Sequence, residues 1–92
     1  MGTVILEGRL RCKDAAEAEV VKKLLPKHIR LTKAERGCIS FSVTPTEDPW
    51  VWLVHEEFVD GVAFEAHQQR AAASKWGQAT KDMQRIYKIK GL

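Results

Sequence analysis

The stretch that decides the fold is VHEEFVDGVAFEAHQQR, residues 54–70. It carries two histidines and four acidic side chains, so a metal site, an acid–base site and a strand turning into a helix all compete for it. Apolar residues alternate up to Phe58; then comes Asp60, a short carboxylate of the kind that caps helix N-termini, followed by apolar positions at helical spacing. His55, Glu56 and Glu57 do not form H-E-x-x-H, because Asp60 and Gly61 end the strand where that motif requires a helix. The step from His55 to His67 matches no known ligand spacing, so no metal is expected. The run reads as strand, cap and helix.

Working upstream, Trp50–Phe58 and Cys38–Thr44 are both β-prone, and PTEDP (45–49) between them supplies the turn of a hairpin. Val4, Leu6 and Leu10 alternate with Glu7, Arg9 and Arg11, which predicts a first strand over residues 3–11. Asp14 and Glu17 form a capping box. Val21, Leu24, Leu25, His28 and Thr32 then recur at helical spacing, which predicts a helix to residue 35, kinked or broken at Pro26 and C-capped by Gly37. Downstream, the second helix runs through the alanines at 71–73 and ends or breaks at Gly77, before a short strand over Arg85–Lys90. The order β-α-β-β-α-β predicts one α+β domain over residues 1–92, ferredoxin-like with an antiparallel sheet.

The net charge of +3 raises the question of nucleic acid. Much of the excess lies in Lys22, Lys23, Lys27, Arg30, Lys33 and Arg36, a spacing that makes a solvated helix face. RNA-recognition domains share the strand order, and RGCISFSV (36–43) echoes their aromatic motif. It lacks the first aromatic, has Ser40 where another is needed, and falls on the second strand; the first strand carries no aromatic. No nucleic-acid partner is expected. No apolar run is long enough for a membrane span, the opening residues lack the parts of a signal peptide, and Leu6 stands where myristoylation needs Ser or Thr. A cytoplasmic protein without membrane contact is expected. Cys12 and Cys38 form no C-x-x-C pair and read as buried, reduced thiols.

The third strand is apolar on both faces, with Trp50, Trp52, Val54 and Phe58 on one and Val51 and Leu53 on the other. Helices covering one side of a sheet would leave the second face wet, which predicts a homodimer packed sheet to sheet. Within the domain, His67 lies about 10 Å into its helix at ~1.5 Å per residue, so a helix doubling back hangs it above Glu56 or Glu57. Phe64, His67 and Ala71 share the inward face. A histidine beside a carboxylate is a candidate general base; the competing reading is a core histidine satisfied by Glu56 or by backbone. His55 falls on the face turned to the partner. His28 sits on the first helix's inner stripe, where pocket lining and core both fit. Trp52 shares the strand face of Glu56 and would stack on a flat substrate if that face meets the helices; the opposite register would place Leu53, His55 and Glu57 there. The other aromatics, Trp50, Phe41, Phe64 and Trp76, are at such positions more often core than ligand box.

Two segments, AERGCISFSV (34–43) and WLVHEEFVDGVAFEAHQQR (52–70), resemble the antibiotic biosynthesis monooxygenase family, the dimeric α+β barrel group that includes cofactor-free quinol monooxygenases. The resemblance implies a dimer with a pocket between helices and sheet in each subunit. It also implies oxygenation of a small phenolic or quinol-type aromatic without metal, flavin or other cofactor. On that reading His67 and Glu56 are the catalytic pair, and Trp52, Phe64, His28 and Phe41 bind the substrate. The haem-degrading branch of the family uses an Asn, a Trp and a His at positions held here by Gly8, His67 and Gly77, so that chemistry is not expected. A non-catalytic ligand-binding or assembly module on the same dimeric fold is the alternative.

Overall fold

The computed structural model describes residues 2–92; Met1, with which the myristoylation pattern begins, lies outside them. The elements are β1 (Val4–Arg11), α1 (Ala15–Lys33), β2 (Cys38–Pro45), β3 (Val51–Phe58), α2 (Gly61–Ala73), α3 (Lys75–Thr80) and β4 (Gln84–Lys90). The strands form one antiparallel sheet in the order β2-β3-β1-β4, the ferredoxin-like arrangement, with one short helix more than expected. No helix among the described residues is long and apolar enough to cross a membrane.

Both predicted caps form. Asp14 accepts from the Glu17 N–H at 2.9 Å, and Glu17 reaches back to the Lys13 N–H at 2.8 Å. Asp60 accepts from the Ala63 N–H at 2.8 Å, which fixes where β3 turns into α2. The register of β3 is now settled. Trp52, Val54, Glu56 and Phe58 face the helices, and Leu53, His55 and Glu57 face away. Beneath the helices lies a core built from Val4, Leu6, Leu10, Phe41, Val43, Trp52, Val54 and Phe58, covered by Val21 and Leu25 of α1 and Phe64 of α2. Cys12 is buried and Cys38 half-buried, both as free thiols.

Three local expectations need correction. Pro26 does not break α1, which is helical from Ala15 to Lys33; Pro26 is exposed, so water can reach the Lys22 carbonyl whose bond it forfeits. Gly37 is not the C-cap. The helix stops at Lys33 with Ala34 in the ordinary right-handed conformation, and Gly37 is needed for another reason. A Cβ there would meet the Ala63 Cβ at 2.2 Å, so its absence lets α2 pack against the turn after α1. Nor does the second helix break at Gly77. It breaks at Ser74, whose hydroxyl donates to the Ala71 carbonyl at 2.6 Å and accepts from the Gly77 N–H at 3.1 Å, closing α2 and capping α3 together.

Candidate active site

The site follows from where the helices cross the sheet. His67 lies one α2 turn beyond Phe64, and the N-cap at Asp60 sets both on the inward side. His67 is only 2 % exposed. Its Nε2 faces the Oε1 of Glu56 on β3 at 3.8 Å, as the doubling-back argument required. The other side of the ring holds a partner that sequence reasoning left without a role. Nδ1 lies 2.9 Å from Oε1 of Glu35, in the turn after α1. Arg70, one turn further along α2, donates from Nε to the second Glu35 oxygen at 2.6 Å and from Nη2 to Thr32 Oγ1 at 3.0 Å. A carboxylate only accepts, so Nδ1 carries the proton and Nε2 presents its lone pair towards Glu56.

A cavity of about 480 Å³ opens on this pair, within the range of small-molecule sites. His28, Phe41, Glu56 and His67 line it; Trp52 and Phe64 do not. Trp52 is buried towards the start of β3, close enough to Cys12 to lower that thiol's pKa against the larger effect of burial, which raises it. Phe64 packs edge-on against Phe58 with ring centroids 6.0 Å apart. The wall that sequence reasoning did not assign to the site comes from the second half of the chain. Trp76 of α3 stacks on His28 at 4.8 Å, and Arg85 and Tyr87 of β4 close the far side. Alternation in QRIYKIK (84–90) already places Arg85, Tyr87 and Ile89 on one face. What it lacked was the pairing of Tyr87 with Gly8 and Arg85 with Leu10, which turns that face towards the helices. A Cβ on Gly8 would sit 2.8 Å from the Tyr87 ring, so this glycine makes room for it.

Burial dominates the electrostatics. Glu56 is pushed up to about 7, first by desolvation and then by the nearby Glu35 charge, with Arg85 opposing. Its Oε1 has no hydrogen-bond partner. Burial also lowers His67, with Glu35 pulling the other way through its charge and its hydrogen bond. His28 is driven down to about 3 by burial and by the positive fields of His67, Arg70 and Arg85, so it is a neutral aromatic wall at physiological pH. The walls therefore combine an oriented imidazole, a carboxyl that titrates near neutrality and flat aromatic surfaces. No group of three or more His, Cys, Asp or Glu among the described residues is arranged to hold a metal. His55 lies on the opposite sheet face, 3.1 Å from Glu7.

Among curated proteins none matches the chain. Solved structures do, at low identity and nearly full length. A candidate antibiotic biosynthesis monooxygenase from Deinococcus radiodurans is 22% identical, with a TM-score of 0.76 and coverage of 97% of this chain and 91% of that one. Another from Nitrosomonas europaea is 20% identical, with a TM-score of 0.76 over 100% of this chain and 98% of the other. A conserved protein of unknown function from Bacteroides thetaiotaomicron, 12% identical, matches as well, with a TM-score of 0.76 over 99% and 98%. These likenesses establish the shared fold. The model of the antibiotic biosynthesis monooxygenase family matches residues 3–79, most of the chain, and the chain belongs to that family.

Proposed function

We propose that the protein is a cofactor-independent monooxygenase acting on a small phenolic or quinol-type aromatic held between helices and sheet. The observation that carries this reading is the His67 imidazole, fixed through Nδ1 by Glu35 and aimed through Nε2 across a 3.8 Å gap at a buried, unpartnered Glu56 oxygen. A substrate hydroxyl entering that gap can donate to Nε2. Once deprotonated, the electron-rich phenolate passes one electron to O₂, and the aryloxyl radical and superoxide combine into a ring peroxide. Glu56, near half-protonated at neutral pH, gives a proton to the distal peroxide oxygen as the O–O bond breaks, and the proton held on Nε2 then passes to Glu56 and resets the pair. The ring C–H proton leaves with the second oxygen as water, so phenol plus O₂ gives quinone plus H₂O. His28, Phe41 and Trp76 provide the flat walls; Trp52 and Phe64 support them from the core.

A second copy of the chain is part of this reading. The outer sheet face exposes Leu53 (43 %) and Ile86 (50 %), both paired with Arg9 on β1, and no element among the described residues covers them. Sedimentation at micromolar concentration measures this directly, and a monomer there would remove the dimer.

Oxygen uptake with a panel of anthrone- and quinol-type substrates tests the chemistry. His67→Ala is expected to lower turnover by about 10²–10⁴-fold, the usual contribution of a general base. Unchanged uptake in the variant would exclude His67 as the base. No uptake by the wild type across the panel would leave a non-catalytic ligand-binding module.

A further inference from the structure

The cavity carries positive charge that the protein does not neutralise. Arg85 of β4 and Lys81 of the turn before it both line the cavity, and neither takes part in any ion pair among the described residues. Among the described residues Glu56 is the one acidic side chain in the lining, and burial keeps it near half-neutral at pH 7. Both side chains are exposed, so water rather than a carboxylate of the protein solvates them, and their charge is free to meet an anionic ligand at the cavity.

The hydrogen bonds of Arg85 sharpen the point. A guanidinium has five N–H donors in a rigid fork. Nη1 donates to the Thr80 carbonyl at 2.7 Å and to the Met83 carbonyl at 3.3 Å, and Nη2 donates to Thr80 Oγ1 at 2.8 Å. Gripping Thr80 through both terminal nitrogens uses the end of the fork. The donors left over, Nε–H and the second Nη2–H, share its side edge, and two parallel N–H groups of that kind fit a carboxylate bidentately. The turn holds the fork in place before any ligand arrives, so little rotamer freedom remains to be lost on binding. The charge of Arg85 is felt across the cavity: it opposes burial at Glu56 and at Tyr87, and it helps depress His28. Burial holds the Tyr87 phenol at about 12, so beside Arg85 it stays a protonated donor rather than a competing anion.

We propose that the ligand of this cavity is an aromatic acid, whose carboxylate seats on the free edge of Arg85 while its ring lies against His28 and Trp76. This rests on the reading of the cavity as an aromatic site and adds the charge of its occupant. With the acid end on β4, the ring extends towards Phe41, and a hydroxyl on its far side meets His67 and Glu56.

The test compares two redox-stable probes of nearly equal shape, a hydroxynaphthoate with its hydroxyl on the ring remote from the acid and the matching carboxamide, by calorimetric titration of the intact protein. The acid is expected to bind about tenfold more tightly than the amide at low salt, with the preference shrinking as salt is added. Arg85→Gln should bring the two affinities together, and Arg85→Lys should restore part of the difference. Equal affinity of the wild type for acid and amide would overturn the proposal while leaving an aromatic site standing. Binding of neither would remove the aromatic site as well. A preference undiminished in Arg85→Gln would take the role away from Arg85. If Arg85→Gln loosens the turn it holds, the wild-type ratio and its salt dependence decide the matter alone.

Discussion

His67 shows what single residues contribute that spacing could not reveal. Helical periodicity and strand rise bring it over Glu56 or Glu57, and the register of β3 in the sheet selects Glu56. The residue that orients it, Glu35, lies 32 positions earlier in the chain and comes close only because α1 ends beside α2. Glu35 even stands inside the AERGC segment that carried the family resemblance, yet nothing local marks it as the imidazole's partner. Its role is that of a positioning residue, acting on the substrate only through His67. Glu35→Gln can donate to Nδ1 instead of accepting from it, which moves the imidazole proton to Nε2 and blocks the base. The sign of the pH effect follows. Burial lowers the His67 pKa and Glu35 opposes it, so without Glu35 the pKa falls further and the acid limb of kcat/KM moves to lower pH. Turnover should drop roughly ten- to a hundred-fold. Nitrogen NMR of the imidazole should report a bare Nε2 in the wild type and a protonated one in the variant. A Glu35→Gln protein that loses thermal stability but keeps the wild-type tautomer would reduce Glu35 to a structural role.

Elements were legible where local chemistry dictated them and obscure where a neighbour did. The strands, both N-caps and the inner stripe of α1 follow from alternation, short acidic side chains and helical spacing, all properties of the chain next to itself. The two glycines misjudged as helix ends follow from packing between elements. Neither Gly37 nor Gly77 has a positive φ; each vacates a Cβ position that another segment occupies. At Gly77 the occupant is backbone, with the Ala71 carbonyl oxygen 2.0 Å and the Ala72 Cα 2.8 Å from a built Cβ. Gly77→Ala must therefore push α3 away from the end of α2. The expected cost is about 1–3 kcal/mol, although alanine is the better helix former. Because α3 carries Trp76, the shift should also loosen its stacking on His28. Urea unfolding with a change in tryptophan emission reads both effects. A neutral or stabilising substitution would show that helix propensity, not packing, governs the junction.

Across the whole molecule, burying titratable groups between sheet and helices sets opposing responses to pH. Glu56 is held at about 7 against an ordinary 4.5, so between those values the folded state binds more protons than the unfolded one. Its contribution is fully present below about 4.5 and is lost as pH rises through about 7. At ~1.4 kcal/mol per unit, the total is about 3 kcal/mol. His28, held at about 3 against 6.5, works the other way: its contribution is full above about 6.5 and is lost as pH falls towards 3, and His67 is shifted in the same direction. In the window from about 4.5 to 6.5 the carboxyl therefore offsets the imidazoles and flattens the stability profile. Glu56→Gln keeps the shape and hydrogen-bonding size of the protonated acid but cannot ionise. Relative to the wild type it should gain up to ~1.4 kcal/mol for each pH unit across that window and end about 3 kcal/mol ahead by pH 8. Denaturant unfolding of both proteins, at one protein concentration so that association does not enter, measures the difference. A constant offset between the two curves would mean that Glu56 ionises no differently in the folded protein than in the unfolded chain. It would also take away the proton that the proposed mechanism returns to the peroxide.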